Sequence, residues 1–425
     1  MRKLVSLIIP IYNAEKYLKT TMECILNQEY KDIEVVAVND CSTDNSLQIL
    51  NDYRTICSNA GIQYTIVDRK INGGLCAAIN SGLEVAKGEY YCFPDADDEL
   101  MPEYIGAMME VLENNPDKQW VRCDYTIVLE NENREYDVCL PIKSCYKNDY
   151  FDFISKYIPH NAWNMIVSKE YFKKCVGAQI HDSRLTQEWS LLLPLSYYLN
   201  YARCTDKLYR YHIRTGAMSS WQNEDIDSVI EHIDALEKLN LTVLDRINIQ
   251  NTEELELSKK ALKIYYYMMR NKKYVQHDLL EKAEQEKNKL FDTCSGVTKE
   301  PLPEFGENLD MYVRLVFDKI LCGEMTQNIS DYEKFGELLE SGYEVYADKP
   351  GLKLLALTKK AYGDPVRVSM WDEEVETLVE LPKVCLIENS MKYRKLTQGR
   401  DNQIYIDYRD LRNSIRGWVA KEEII

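Results

Sequence analysis

Four short apolar runs, at 5–11, 33–38, 64–67 and 90–93, alternate with segments at 15–28, 44–58, 74–86 and 102–114 whose apolar residues recur at helical spacing. No other feature of the chain restricts its fold as much. Strands that alternate with helices require crossover connections, and right-handed crossovers build a largely parallel sheet. A strand covered on both faces reads as a continuous apolar run, as Leu7-Ile8-Ile9 and Val35-Val36-Ala37-Val38 do. Asp44 and Pro102 suit two of the helix starts, as a cap and a first-turn proline. The expected fold class is α/β: a Rossmann-like, mostly parallel sheet with helices on both faces.

Polar residues fall at telling places on that scheme. Asn13 follows the first run, Asp40 the second, Arg69 and Asn72 the third, and Asp95, Asp97 and Asp98 the fourth. Open α/β sheets bind ligands just past the carboxyl ends of their strands. Four successive coincidences point to one site assembled from four loops.

Its strongest element is Pro94-Asp95-Ala96-Asp97-Asp98. Three carboxylates within four residues repel one another, and burying them uncompensated is costly. Mn²⁺ or Mg²⁺ resolves that conflict, because such ions take oxygen ligands and often combine one or two carboxylates with phosphate oxygens. The alternative is a solvated acidic loop at the start of the following helix.

Bulk charge narrows the partners. Lys and Arg number 52 against 69 Asp and Glu, a formal net charge of −17, which disfavours binding nucleic acid through its phosphates. The thirteen Cys residues include no CxxC pair and read as reduced thiols of a reducing compartment. There is no apolar run of about 18 residues, so no spanning helix is expected. The opening lacks a signal-peptide cleavage pattern and reads as a first buried strand. A cytoplasmic protein is expected, with peripheral association at the inner face of the cell membrane left open.

Several motifs together resemble the inverting glycosyltransferase family 2, which has the GT-A fold. They are Val5-Ser6-Leu7-Ile8-Ile9-Pro10-Ile11-Tyr12-Asn13, Val38-Asn39-Asp40-Cys41-Ser42-Thr43-Asp44, Asn72-Gly73-Gly74, Asn80-Ser81-Gly82-Leu83, Ala86-Lys87-Gly88-Glu89-Tyr90 and Asp95-Ala96-Asp97-Asp98. The resemblance spans roughly the first 220 residues. It implies transfer of a sugar from a nucleotide-sugar, by default a UDP-sugar, to a saccharide or lipid-linked acceptor, commonly in surface polysaccharide or glycan synthesis. Pro10, Tyr12 and Asn13 would line the nucleotide pocket, Asp40 would accept a hydrogen bond from the base, and Asn72 and Asn80 would brace the phosphate loop. Asp95 would contact the nucleotide-sugar. Asp97 and Asp98 would hold the metal, with His212 of Tyr209-Arg210-Tyr211-His212 as a further ligand. Trp163 and Asn164 would shape the acceptor side, and Glu188 of Gln187-Glu188-Trp189 would be the catalytic base. One departure stands out: Ile79 occupies a position where the family often has Arg, and Arg69 or Lys70 would have to replace that charge.

The implied organisation is a GT-A domain over 1–222, with 1–115 binding nucleotide and 116–222 binding acceptor. A helical region over 223–342 and a mixed α/β region over 343–425 follow it. Tyr265-Tyr266-Tyr267 reads as packing, and the basic run Lys392 to Arg400 as a solvated face. Homo-oligomerisation is left open. Two rival functions remain: a nucleotidyltransferase that makes nucleotide-sugars, and a non-catalytic scaffold on a decayed transferase fold. The first would want a Gly-rich, basic phosphate loop after the first strand, and Pro10-Ile11-Tyr12-Asn13 is not one.

Overall fold

The computed structural model describes residues 3–132, 134–138, 140, 149–154, 161–214, 225–295, 344–347, 368–370, 384–388 and 403–407. The run Lys392 to Arg400 lies outside them. The chain divides into two compact units, Met1–Ser144 with Asn148–Leu262 and Cys145–Lys147 with Lys263–Ile425.

The first unit opens with the expected alternation: β1 (Val5–Ile11), α1 (Leu18–Leu26), β2 (Ile33–Asn39), α2 (Ser46–Asn59), β3 (Gln63–Asp68), α3 (Leu75–Val85) and β4 (Tyr90–Cys92). After these come β5 (Glu99–Leu100), α4 (Tyr104–Asn114), β6 (Trp120–Leu129), β7 (Arg134–Val138), α5 (Asp149–Ile154) and β8 (Met165–Ser168). The unit continues with α6 (Lys169–Cys175), α7 (Glu188–Tyr198), β9 (Ala202–Ile213) and α8 (Ile226–Arg246). Among the described residues nine strands form one sheet, in the order β3-β2-β1-β4-β8-β6-β9-β5 with β7 on β6. Pairing is parallel across β3-β2-β1-β4 and again between β6 and β9, so parallel register dominates by length. Around β8 it is antiparallel.

Burial explains why the first strands form where they do. Every residue of β2 is buried, as a central strand with both faces covered requires. Helix α3 packs on β1 and β2, and it does so closely at Gly82. A Cβ there would lie 2.4 Å from Ile8 Cγ2 and 3.2 Å from Val38 Cγ2, so only glycine permits this approach. Asp44 acts just outside α2: its carboxylate accepts from Ser46 N at 2.9 Å and Glu15 N at 3.0 Å, tying the helix start to the loop after β1. Pro102 sits two residues before α4 rather than in its first turn.

Because β3, β2, β1 and β4 are contiguous and parallel, their carboxyl ends share one edge of the sheet. The four polar loops singled out in the sequence all emerge there. The segment before α7 crosses to the same neighbourhood, pinned to α3 where Asn80 Nδ2 donates to Ile180 O (3.1 Å) and Ile180 N donates to Asn80 Oδ1 (2.9 Å).

The boundary between the units falls within α9 (Thr252–Gln276), which α10 (Leu280–Ser295) follows. In the second unit Arg270 Nε pairs with Glu286 Oε2 at 2.8 Å, and Asn271 Nδ2 donates to Ala283 O at 2.7 Å. Tyr266 is buried, the packing role read for its run. Four strands, β10 (Glu344–Ala347), β11 (Val368–Met370), β12 (Val384–Glu388) and β13 (Gln403–Asp407), form an all-parallel sheet in the order β11-β10-β12-β13. Among the described residues no helix is long and apolar enough to cross a membrane.

Candidate active site

The loops after β1, β2 and β3 form a hydrogen-bonded rim. Asn13 (φ 52°) and Cys41 (φ 62°) adopt left-handed backbone just past β1 and β2, a conformation costly for residues with side chains. Local bonds hold Asn13 there: its Oδ1 accepts from Thr43 N at 2.8 Å, and its N–H donates to Ser42 Oγ at 3.1 Å. Asp40 is buried and braces the next loop. Its Oδ1 accepts from Gly73 N (3.1 Å) and faces Arg69 Nε (3.0 Å), while Oδ2 accepts from Gly74 N (2.7 Å). Gly74, at φ 87°, is the residue before the first turn of α3. Asp40 therefore braces the loop ahead of α3, not the helix that follows it in sequence. A carboxylate offers about four lone-pair positions, which leaves Oδ2 able to accept one more donor. Pro10 is half-buried at the end of β1, and Tyr12 projects beyond it at 52% exposure.

The loop after β4 is of a different kind. Thr21 of α1 anchors its backbone, donating to Ala96 O and Asp98 O at 3.0 Å each. Tyr209 of β9 supports it: its hydroxyl accepts from Asp95 N at 3.0 Å. Asp98 Oδ1 accepts from His212 N at 2.9 Å, whereas Asp98 Oδ2 is buried without a hydrogen-bond partner. Arg214 Nη1 donates to Asp97 Oδ2 at 2.9 Å, and its guanidinium lies 4.0 Å from the centre of the Tyr17 ring.

Burial raises the pKa of all three carboxyls. Burial, then repulsion from Asp98, Asp97 and Glu188, raises Asp95 well above the usual carboxylate range. Asp98 is pushed up to about 8 by burial and by Asp97, against the opposing pull of its hydrogen bonds and Arg214. Burial raises Asp97 even with Arg214 beside it. Asp95 senses Glu188 although 93 positions separate them in sequence, so the first residue of α7 and the acidic loop share one locality. The Glu188 carboxylate accepts from the Thr186 hydroxyl, and Cys76 Sγ donates to Thr186 O at 3.4 Å, which ties this start of α7 to α3.

A divalent cation fits this cluster. The unpaired Asp98 oxygen and the mutual repulsion of three carboxyls are what a cation would relieve. Among the described residues no three His, Cys, Asp or Glu side chains already surround one point.

A family model described as glycosyl transferase family 2 matches residues 6–173, which include all four strand-end loops. Those residues form a glycosyl transferase family 2 domain. Glycosyltransferase GlyA of Streptococcus pneumoniae is 28% identical over 253 residues, covering 55% of this chain and 34% of that protein. An uncharacterized glycosyltransferase of Haemophilus influenzae is 26% identical over 288 residues, covering 63% and 85%. The putative glycosyltransferase EpsH of Bacillus subtilis is 33% identical over 133 residues, 31% of this chain and 37% of that one. The chain thus spans about a third of the length of GlyA and EpsH. The crystal structure of S. aureus TarS 1–349 with UDP-GlcNAc superposes with a TM-score of 0.51 at 19% identity, over 75% of this chain and 87% of that one, which establishes the GT-A-type fold.

Within the family 2 domain and the strands beyond it, several expected site residues already have partners inside the protein. Trp163 is buried, stacked on Tyr209 (4.3 Å) and Tyr211 (5.0 Å), so it backs the tyrosine that supports the acidic loop. Asn164 is buried between the Cys123 carbonyl and the Arg122 guanidinium. Asn80 is occupied by Ile180, and Asn72 offers its backbone carbonyl to Arg184 Nη2 at 2.6 Å. His212 meets the acidic loop through its backbone. Its ring nitrogens each lie 2.9 Å from a carboxylate oxygen, of Glu99 and of Glu130. Ile79 is buried in α3. Lys70 is highly exposed and pairs with Asp68, while Arg69 is committed to Asp40 and to Ser81 Oγ (3.1 Å). Sequence reasoning missed Arg214, which follows the His212 motif by two positions and is the cation on the acidic loop.

Proposed function

We propose that this chain is a metal-dependent inverting glycosyltransferase, moving a sugar from a nucleotide-sugar to a saccharide or lipid-linked acceptor. The observation that carries the reading is the convergence of Asp95, Asp97, Asp98, Glu188 and Arg214 in one locality at the strand-end edge of a family 2 domain. UDP is the first nucleotide to test, being the one named with TarS, whose fold this chain shares.

Asp97 and Asp98 are the residues to hold a Mn²⁺ or Mg²⁺ ion, which when bound supplies positive charge to a diphosphate leaving group. Tyr12 and Pro10 present a surface for the base, and Asp40 keeps one acceptor position for it. Glu188 takes the proton of an acceptor hydroxyl as that oxygen bonds to the anomeric carbon and the bond to the diphosphate oxygen breaks. A single displacement inverts the anomeric configuration. Arg214 is the candidate for the positive charge that Ile79 does not provide.

Incubating the full chain with a panel of nucleotide-sugars, Mn²⁺ and oligosaccharide acceptors tests the reading. Free UDP and a glycosylated product of inverted configuration are expected. Pyrophosphate release would indicate nucleotidyl transfer instead, and binding without any turnover would indicate a scaffold. Surface polysaccharide or glycan synthesis is the setting we favour.

A further inference from the structure

Beside α3 lies a cavity of about 400 Å³ that no role above uses. One wall is the face of α3 carrying Ser81 and Glu84. The other comes from the segment ahead of α7, through Gln179, His181 and Asp182. Arg246, in the last turn of α8, also lines it, as does Arg69. The paired Asn80–Ile180 hydrogen bonds fix the two walls together, so the cavity is built into the fold. Its volume falls in the range of small-molecule sites.

The lining specifies the kind of ligand. It carries guanidiniums, Arg246 and an Arg69 already paired with Asp40, beside two carboxylates, Glu84 and Asp182. A free anion would meet the carboxylates and a free cation the guanidiniums. Arg246 Nη1 lies 2.7 Å from His181 Nδ1. A guanidinium only donates, so Nδ1 accepts and the imidazole is neutral with its proton on Nε2. Burial and the neighbouring Arg246 both lower the His181 pKa, in agreement with that state. Gln179 Nε2 donates to Glu84 Oε1 at 3.1 Å, leaving its own carbonyl oxygen and Glu84 Oε2 as acceptors. Donors and charged acceptors are therefore interleaved in a mostly polar cavity. A neutral molecule dense in hydroxyls, each able to donate and accept, satisfies such a set.

Its position connects it to the reaction. Ile180 is tied to α3 at Asn80 and Thr186 is tied at Cys76, about one helical turn nearer the start of α3. Thr186 in turn donates to Glu188. We propose that this cavity is an acceptor subsite that binds a neutral sugar unit displaced from the one receiving the transferred sugar. The acceptor assignment rests on Glu188 as the base; the sugar site itself does not.

Saturation-transfer NMR on the full chain carrying Glu188→Gln, with and without saturating UDP, tests this without turnover. The probes are cellobiose, lactose and N,N′-diacetylchitobiose, with inorganic phosphate and glucuronate as anionic controls. At least one neutral disaccharide should bind whether or not UDP is present. Arg246→Ala and Asp182→Asn, made separately, should each weaken that binding about tenfold, as expected for losing one charge-assisted hydrogen bond, while UDP affinity stays unchanged. Binding of none of the three sugars, displacement of the sugar by UDP, tighter binding of phosphate or glucuronate, or indifference to both substitutions would overturn the proposal. The two readings fail separately: wild-type turnover by the Glu188→Gln protein removes the base, whereas absent sugar binding removes only the subsite.

Discussion

The loops after β1, β2 and β3 and the loop after β4 stand at one sheet edge, yet they treat charge in opposite ways. Asp40 has a guanidinium and two backbone N–H groups on its carboxylate. Asp98 has one oxygen with no partner, and burial and Asp97 oppose its charge more than Arg214 and its hydrogen bonds favour it. The first region is largely satisfied by the protein itself, a preorganised rim with one acceptor position left on Asp40. The second keeps a repulsion among its carboxyls that folding does not relieve.

The largest effect should come from Glu188→Gln. Removing a general base slows transfer by about a hundredfold to ten-thousandfold, and UDP binding measured by calorimetry should be little altered. Unchanged turnover would detach α7 from the reactive region. Next is Asp40→Asn, which removes the buried charge opposite Arg69 and points an amide at backbone donors. Breaking a buried pair costs about 3 kcal/mol, so denaturant melts should show a clear loss, and a silent substitution would break the claim that the rim is held by Asp40.

The acidic loop should reveal itself through pH. The unfolded chain releases the Asp98 proton near 3.8, while the folded protein holds it up to about 8. The folded state binds more protons across that window, so stability of the metal-free protein should fall as pH rises from about 4 to about 8. Asp98→Asn should flatten that fall, and Mn²⁺ should oppose it at the high end. A Tm that rises with pH over the window and is unaffected by Asp98→Asn would show that Asp98 is not held protonated by the fold. The smallest stability effect belongs to Tyr12→Ala. The side chain is 52% exposed, so the change should stay within about 0.5 kcal/mol, while UDP affinity drops about tenfold if the ring stacks on the base.

Much of this was legible in the residues. All four opening strands and the helices between them lie where hydrophobic period placed them, to within a few residues at the ends. Asp95, Asp97 and Asp98 announce themselves because three adjacent carboxylates past a buried strand conflict with ordinary burial. The Trp163-Asn164 pair shows where such reading stops. A motif states that residues matter together, but not whether they face a ligand or back a residue that does. Trp163 supports Tyr209, and only the stacking distance says so.

By itself the sequence determined the alternating strands and helices, and the polar residues waiting at each strand end, since period and local charge act within a few positions of one another. The tertiary structure alone decided which partners those polar groups found: Arg69 for Asp40, Arg214 for Asp97 and Ile180 for Asn80. Those pairings join positions up to 117 apart. Hydrogen bonds and charge interactions depend on distance in space, and strand order, which no local pattern encodes, sets that distance.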